Sequence, residues 1–280
     1  MERVVSISTA AFDGYDFHTA FEEIARLGVR TVEFAFIQGY TDPFSEDYFS
    51  DRNSRSLISL LKDYGLACFA FSAHLDLSIA GIVPIFKRRM DFATSLGSKI
   101  IITNAAPSDK KELFFESVDD LIHHAESLGL TIGLENPGDG SDNLVNSAKE
   151  GAILIRKIGS KFLKMNYDLG NLLSHLQGRI RPEDDFLEGL DAIVHLHIKD
   201  VQRSDLGWEF TAIGDGEIDY ARVFEVLKDW HLLYPISLEV PLRISRNTNA
   251  SPRRKKEPVP LATIRATLEQ SVRFARIALA

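Results

Sequence analysis

The sequence contains very little cysteine and no long apolar run, and both deficits exclude classes of protein. Its single cysteine, Cys68, cannot form an internal disulfide, which favours a reducing compartment and a buried, inert thiol. No apolar stretch is long enough to cross a bilayer. The opening MERVVSISTAAFDG lacks the basic start and apolar stretch of a signal peptide. We therefore expect a cytoplasmic protein without a membrane partner.

Positive charge is also in deficit. The chain has 32 Lys and Arg residues against 40 Asp and Glu residues, a net charge of −8. No net positive field gathers phosphates, so a general nucleic-acid binder is not expected, although a locally basic groove is not excluded. In contrast, 45% of the 280 residues are hydrophobic, which is ample for a large core.

Eight short apolar, β-branched runs recur along the chain. Most are almost continuously apolar, as parallel strands covered on both faces must be. We predict that each forms one strand. The runs cover residues 4–8, 31–36, 67–72, 99–103, 131–135, 162–168, 192–198 and 236–240.

Amphipathic stretches separate these runs, for example 16–28, 56–65 and 114–129, which carry apolar residues at helical spacing and end at glycine. A helix-terminating glycine directly before a strand is typical of the αβ turn of a repeating unit. Eight such units predict an α/β fold, a single (β/α)8 TIM barrel that occupies residues 1–280 as one domain. An open doubly wound sheet is the alternative.

One stretch departs from the repeat. Residues 241–260, PLRISRNTNASPRRKKEPVP, are polar, basic and proline-bearing. We interpret them as a long βα loop, either a mobile lid or a solvated excursion with no role. Arg243, Arg246 and the basic run at 253–256 could approach a phosphate, although a solvated charge run is the more common explanation.

The fifth to the eighth strand runs all end in residues that can bind a metal ion. These residues are Glu135, Asp168, His197 and Glu239. In a (β/α)8 barrel the chemistry belongs at the carboxyl ends of the strands, where each of these side chains would be costly to bury unpaired. A single glutamate there is more often a satisfied structural ion. Four such residues in one position of the repeat indicate a shared site.

The donor types restrict the metal. Carboxylates with one neutral imidazole suit Mn²⁺, Mg²⁺, Co²⁺ or Zn²⁺, and a soft-ligand site is excluded because the only cysteine lies elsewhere. The run IVHLHIKD places His195 and His197 two residues apart, so on a strand they point the same way. One of them is expected to bind the metal while the other orients substrate or packs. Two hydrogen-bonded core histidines are the alternative.

Five motifs follow one another toward the end of the chain. They are GLENP (133–137), YDLGN (167–171), HLHIKD (195–200), IGDGEIDY (213–220) and LEVP (238–241). In this order they resemble the sugar phosphate isomerase/epimerase superfamily, the xylose isomerase-like barrel group. That group includes ketose 3-epimerases, hydroxypyruvate isomerase, inosose dehydratase and endonuclease IV.

The resemblance implies one divalent ion held by Glu135, Asp168, His197 and Glu239, with Mn²⁺ as the first candidate. His195, one pleat deeper, is then structural. A small-molecule sugar or sugar phosphate is the implied substrate. Because barrels in this group are often dimers or tetramers, a homodimer or homotetramer is the assembly to consider.

Four further positions are candidates for substrate binding on the same resemblance. Arg203 resembles an arginine that holds substrate hydroxyls in ketose 3-epimerases, and His74 matches a histidine that often faces substrate. Glu33 is a third candidate, with a barrel salt bridge as its alternative. Asn171 stands where epimerases of free sugars often have histidine, and the resulting DxGN form resembles epimerases of pentulose or hexulose phosphates.

The chemistry suited to these residues is proton abstraction next to a carbonyl through a metal-bound enediolate. One of Glu135 and Glu239 takes the proton and the other returns one to the opposite face, which inverts the carbon. Return of the proton to the neighbouring carbon would be isomerisation. Loss of a β-hydroxyl would make the protein a dehydratase of a keto-cyclitol or related polyol.

Two other functions are weighed against this one. Endonuclease IV needs three zinc ions and extra histidines, whereas this chain has Asn104 and Asn171 where such histidines would be expected. A non-catalytic sugar-binding barrel is the second alternative, because a fold does not determine a function.

Overall fold

The structure, a computed structural model, describes residues 3–279 and contains a closed barrel of eight parallel strands. The barrel closes between the first and last of these strands, where Ile7 pairs with Leu238. The predicted (β/α)8 architecture is therefore confirmed. The barrel strands are β1 Val5–Ser8, β2 Thr31–Ala35, β3 Ala67–Ser72, β4 Ile100–Asn104, β5 Thr131–Glu135, β6 Leu163–Asp168, β7 Ile193–Ile198 and β10 Ile236–Leu238.

Helices surround the barrel, and each main strand-to-strand crossover contains at least one of them. None of the helices within residues 3–279 is both long and apolar enough to cross a membrane. The α-helices are α1 Phe17–Arg26, α2 Asp51–Asp63, α3 Ile82–Ser95, α4 Lys111–Leu128, α5 Ala148–Ile158, α6 Leu169–His175, α7 Pro182–Asp185, α8 Tyr220–Asp229 and α9 Leu261–Leu279. Short 3₁₀ turns cover Thr9–Phe12, Glu46–Tyr48, Ser108–Lys110 and Phe186–Gly189.

The barrel strands have one apolar and one partly polar face. Side chains such as Phe34, Phe71 and Leu196 are fully buried in the layer between strands and helices. Burial of each such side chain contributes about 2–3 kcal/mol. Residues that alternate with them point into the barrel, where Glu33 and Ser72 form a hydrogen bond. The interior is therefore polar on this side, and its side chains can form hydrogen bonds with charged groups at the carboxyl ends of the strands.

A small antiparallel sheet is added at the carboxyl-terminal mouth of the barrel. It consists of β8 Asp200–Ser204, β9 Gly207–Thr211, β11 Ile244–Arg246 and β12 Pro252–Arg254, in the order β12-β11-β9-β8. The long loop expected at 241–260 thus contains two strands. Its strand β11 pairs with β9, a segment far away in sequence, so local composition could not reveal the pairing.

Ion pairs attach this segment to the loops that follow β1 and β2, the barrel strands next in order beside β10. Arg254 donates to both Asp13 and Asp42, at 2.7 Å from Asp13 Oδ2. Arg243 contacts the same two carboxylates at 3.3 and 3.4 Å. Segment 241–260 is therefore neither a bare loop nor a run of purely solvated charge.

Candidate metal centre

Four side chains from adjacent strands converge at the mouth of the barrel. Glu135, Asp168, His197 and Glu239 are all buried, and each offers a ligand atom within 4.8 Å of the others. His197 Nδ1 lies 2.5 Å from Glu135 Oε1, 3.6 Å from Asp168 Oδ2 and 3.5 Å from Glu239 Oε2. The four strand ends that the sequence singled out therefore meet at one point.

The orientation of His197 is determined by a carboxylate beneath it. Glu33 is fully buried and accepts a hydrogen bond from His197 Nε2 at 2.9 Å and one from Ser72 Oγ at 3.0 Å. With Nε2–H donated to Glu33, the imidazole directs Nδ1 toward the other carboxylates, and a metal ion bound there would replace the Nδ1 proton. Burial opposes the imidazolium, but Glu33 and the other carboxylates outweigh burial and raise the pKa of His197 well above its ordinary value.

This placement changes the interpretation of Glu33. The sequence leaves two roles open for Glu33, a contact with substrate and a barrel salt bridge, and in the structure the side chain is closed off from solvent and pairs with His197. The reason is its register on β2, which points it into the barrel one layer below the mouth. The structure thus brings Glu33 to the metal centre as a partner of His197 rather than as part of the cavity wall.

A second buried layer holds Glu135. Asn166 donates to Glu135 Oε1 at 2.7 Å, and its own amide oxygen lies 2.7 Å from His195 Nδ1. His195 Nε2 in turn lies 3.0 Å from Ser237 Oγ. Burial lowers the pKa of His195 to about 3, so this imidazole is neutral. Both histidines of the IVHLHIKD run point into the barrel, and His195 occupies the deeper, structural position.

Asp168 is fixed by backbone contacts on both sides. The side chain of Asn136 accepts from the Asp168 N–H at 2.8 Å and donates to the Asp168 carbonyl at 2.9 Å. Asp168 Oδ1 caps α6 by accepting from the Asn171 N–H at 2.8 Å. Oδ1 therefore caps the helix, and Oδ2 faces the candidate metal centre.

The four residues fit a divalent ion. Three of their buried atoms, Asp168 Oδ2, His197 Nδ1 and Glu239 Oε2, have no partner with hydrogen-bond geometry, although Lys199 forms ion pairs with the two carboxylate oxygens. Three buried carboxylates around one imidazole carry more negative charge than a single ammonium compensates, and a divalent cation bound by all four groups would compensate the rest. Three carboxylates and one imidazole nitrogen are donors that Mn²⁺, Mg²⁺, Co²⁺ and Zn²⁺ accept.

Lys199 also belongs to this centre; it lies within the HLHIKD motif but is not among the predicted site residues. Its ammonium lies 2.6 Å from Asp168 Oδ2 and also contacts Glu239. Burial disfavours the charge, but Asp168 and Glu239 outweigh burial and raise the pKa of Lys199. The spacing in the sequence could have identified Lys199, because it follows His197 by two residues and points the same way on an extended chain.

The centre opens into a cavity of about 310 Å³. His74 lies on its wall, with Nε2 3.6 Å from Glu135 Oε2, and burial lowers the pKa of this imidazole. Asn171 also lines the cavity and donates to the Asn136 carbonyl at 3.0 Å. The remaining polar residues on the wall are Gln38, Tyr40, Asp76, Asn104, Glu135, Asp139, Lys199, Glu239 and Arg246.

Arg203 does not line this cavity. Its guanidinium packs 4.3 Å from the centroid of the Trp208 ring and donates to the Gln177 carbonyl at 3.0 Å. The added sheet carries Arg203 outward on β8, which the sequence did not reveal as a strand. The arginine that enters the cavity is Arg246 from β11, a residue for which the sequence suggests only an approach to a phosphate.

Comparisons with known proteins agree with this architecture. The family model described as xylose isomerase-like TIM barrel matches residues 21–258. An uncharacterized protein of Methanocaldococcus jannaschii is 25% identical over 205 residues, which cover 65% of this chain and 67% of that protein.

Two solved structures illustrate the range of similar folds. A D-psicose 3-epimerase from Clostridium cellulolyticum H10, crystallised with D-tagatose, superposes with a TM-score of 0.77 at 17% identity, covering 99% of both chains. A probable 3-DHS dehydratase from Bacillus anthracis superposes with a TM-score of 0.68 at 15% identity, also covering 99% of both chains.

Proposed function

The chain belongs to the xylose isomerase-like TIM barrel family, and from this premise we propose that it is a divalent-metal-dependent sugar or sugar-phosphate epimerase or isomerase. Its reaction is proton abstraction from the carbon next to a carbonyl. The observation that carries the proposal is the pair Glu135 and Glu239. Both carboxylates belong to the four-residue centre and both line the cavity. The solved structures of sugar 3-epimerases with the same fold support the same reaction class.

A sugar C–H beside a ketone is a very weak acid, so the developing enolate must be stabilised as the proton leaves. A divalent ion bound by the four residues supplies that stabilisation as a Lewis acid. Asn171 and His74 lie beside Glu135 Oε2, at 3.4 and 3.6 Å, and keep this oxygen directed at the cavity. Glu135 Oε2 is therefore placed to exchange a proton with a bound sugar.

Glu239 approaches the cavity from the other side of the centre. In the barrel order, β6 and β7 separate the strands that carry Glu135 and Glu239, so the two carboxylates face a bound sugar from different directions. One carboxylate takes the proton and the other returns one to the opposite face, which inverts the carbon. Return to the neighbouring carbon gives isomerisation instead. Loss of a β-hydroxyl gives dehydration, the reaction class for which the Bacillus anthracis protein is named.

An endonuclease IV-like function is not favoured by the donors present. Within residues 3–279, two groups could hold a metal ion, and they share His197. The second group consists of Glu33, His195 and His197, whose imidazoles are already hydrogen-bonded at the buried end. Asn104 and Asn171 stand on the cavity wall where a three-zinc centre would need histidines.

Deuterium wash-in tests the proposal directly. Purified protein loaded with Mn²⁺ is incubated in D₂O with a panel of keto-sugars, sugar phosphates and inososes, and exchange is followed by NMR and mass spectrometry. We expect solvent deuterium to enter next to the carbonyl of at least one compound. The product then distinguishes epimerisation, isomerisation and dehydration. Absence of exchange across the whole panel would overturn the proposal in favour of a binding protein.

Two variants test the proton-transfer roles. Glu135→Gln and Glu239→Gln should fold as barrels and lose exchange, with metal content measured in each because both residues are also candidate ligands. Glu209→Gln is the matched control, since it removes a half-exposed carboxylate from the added sheet outside the cavity. Wild-type exchange rates in either cavity variant would refute the assignment.

A further inference from the structure

Arg246 is a buried cation that the residues around it leave without an anionic partner. It is 2% exposed and lines the cavity. Its Nη2 donates to Asn171 Oδ1 at 3.0 Å and its Nη1 to the Ala250 carbonyl at 3.4 Å, both neutral acceptors. Its buried Nε has no hydrogen-bond partner. Among residues 3–279, no carboxylate oxygen lies within 4.0 Å of the guanidinium.

The other arginines of the same segment show how this chain normally compensates such charges. Arg243 and Arg254 each contact both Asp13 and Asp42. Arg246, which follows Arg243 closely in the chain, turns instead into the cavity. A buried unpaired charge is expensive, and proteins keep one only where something compensates it.

The cavity offers Arg246 little compensation of its own. The rings of Tyr40 and Phe210 lie 5.7 and 5.9 Å from its guanidinium carbon and contribute weak cation–π attraction. Burial opposes the charge of Asp139, but hydrogen bonds from Ser141 outweigh it and lower the pKa of this carboxyl, with Arg246 as a smaller electrostatic contribution. The carboxylate already accepts from Ser141 Oγ at 2.6 Å. Arg246 therefore lines the cavity with a guanidinium whose hydrogen-bond donors are only partly used.

The backbone is shaped to admit this guanidinium. Gly138 follows the GLENP motif, and a Cβ added there would lie 2.5 Å from Arg246 Nη2 and would also collide with Asn171 Oδ1. Any side chain at 138 would thus displace the arginine. Lys199 adds a second cation on the same side, with Nζ 3.3 Å from Asn171 Oδ1. One amide oxygen therefore lies between two buried positive charges.

We propose that Arg246 determines substrate specificity by binding an anionic group, a phosphate or a carboxylate, on the sugar that the centre transforms. This inference rests on the proposed function. Asn171 spans the distance between Arg246 and Glu135, since it contacts both. A sugar chain with its carbonyl at the metal centre can therefore place an anionic end at the guanidinium, whose planar fork matches two oxygens of either anion.

Calorimetric binding to Mn²⁺-loaded protein tests this without requiring turnover. The ligands are matched sets of a ketose, its terminal phosphate and its terminal carboxylate, such as D-fructose, D-fructose 6-phosphate and D-fructuronate, with the corresponding ketopentose sets. We expect one anion to bind about 10- to 100-fold more tightly than the uncharged ketose, the range for hydrogen bonds to a charged group. The preferred anion identifies whether the group is a phosphate or a carboxylate.

Variants attribute the preference to Arg246. Arg246→Gln should abolish the preference, so that charged and uncharged ketoses bind equally, and Arg246→Lys should restore part of it. Arg253→Gln is the matched control, because it removes the same charge from an exposed position on β12. If Arg246→Gln does not fold, Gly138→Ala displaces the guanidinium together with the Asn171 amide while both residues stay in the chain, and it should lose the preference as well.

The outcomes separate this inference from the proposed function. Equal binding of charged and uncharged sugars by wild type, or an anion preference that survives in Arg246→Gln, overturns the role of Arg246 even if deuterium exchange occurs. An anion preference that depends on Arg246, in a protein that exchanges no proton of any ligand, supports the anion site and overturns the proposed function alone.

Discussion

Glu33→Gln should weaken divalent metal binding although Glu33 is not one of the four candidate ligands. The substitution preserves shape and keeps an oxygen acceptor for His197 Nε2, but it removes the negative charge. Charge-assisted hydrogen bonds are about twice as strong as neutral ones. With an amide as its partner, the imidazole is a poorer electron donor at Nδ1 and is held less firmly toward the centre.

The magnitude follows from this contact. A neutral hydrogen bond contributes about 1 kcal/mol and a charge-assisted one about twice as much. Loss of the charge at the hydrogen bond of His197 Nε2 therefore costs about 1 kcal/mol. Partners of metal-binding histidines typically contribute 10- to 100-fold in affinity, about 1.4–2.7 kcal/mol. We therefore expect Kd for Mn²⁺ to rise about tenfold or more. Because Glu33 is fully buried, solvent cannot replace the missing charge.

Titration of chelator-treated protein with Mn²⁺, followed by the EPR signal of the free ion, measures this change. Ser72→Ala is the control, because it removes the other hydrogen bond of Glu33 and leaves the contact with His197 intact. We expect the control to stay within about threefold of wild type. A Kd unchanged in Glu33→Gln would refute the reasoning and would reduce Glu33 to a buried ion-pair partner.

Three further outcomes are expected. The free energy of unfolding of chelator-treated protein should rise by about 2.7 kcal/mol when free Mn²⁺ is 100 times its Kd. Tm should then rise by about 5–10 °C in a thermal scan, and an unchanged Tm would contradict metal binding at the candidate centre. Gly170→Ala should destabilise by about 1–3 kcal/mol in urea unfolding, because its Cβ would lie 2.5 Å from the Lys199 carbonyl oxygen. Glu23 accepts from Arg265 at 2.7 Å, which holds the pKa of Glu23 below 4.5. The resulting stability is present above pH 4.5 and is lost as the pH falls through the lowered pKa, so Glu23→Gln should flatten the acid limb of a stability-against-pH curve.

Much of the barrel could be predicted because its signals are local. Parallel strands buried on both faces are apolar runs, and a glycine such as Gly129, with φ +61°, ends the preceding helix in the left-handed region. The predicted strand runs agree with the observed strands to within a few residues. The last one, Ile236–Leu238, ends just before Glu239.

The added sheet could not be predicted because its pairing is not local. Strands β11 and β12 are short and polar, and β11 pairs with β9 across a helix and a barrel strand. This sheet determines where two candidate residues lie relative to the cavity. It carries Arg203 away from the cavity on β8 and directs Arg246 into it from β11.

By itself, the sequence determined the barrel and the four candidate metal ligands at consecutive strand ends. Alternation along an extended chain is set by the neighbouring backbone, so His197 and Lys199, two residues apart, share a direction wherever this segment is extended. Only the tertiary structure decided that Glu33 supports His197 and that Arg246 reaches the cavity. Those contacts join residues from distant segments, and their distances depend on how the strands and the added sheet pack together.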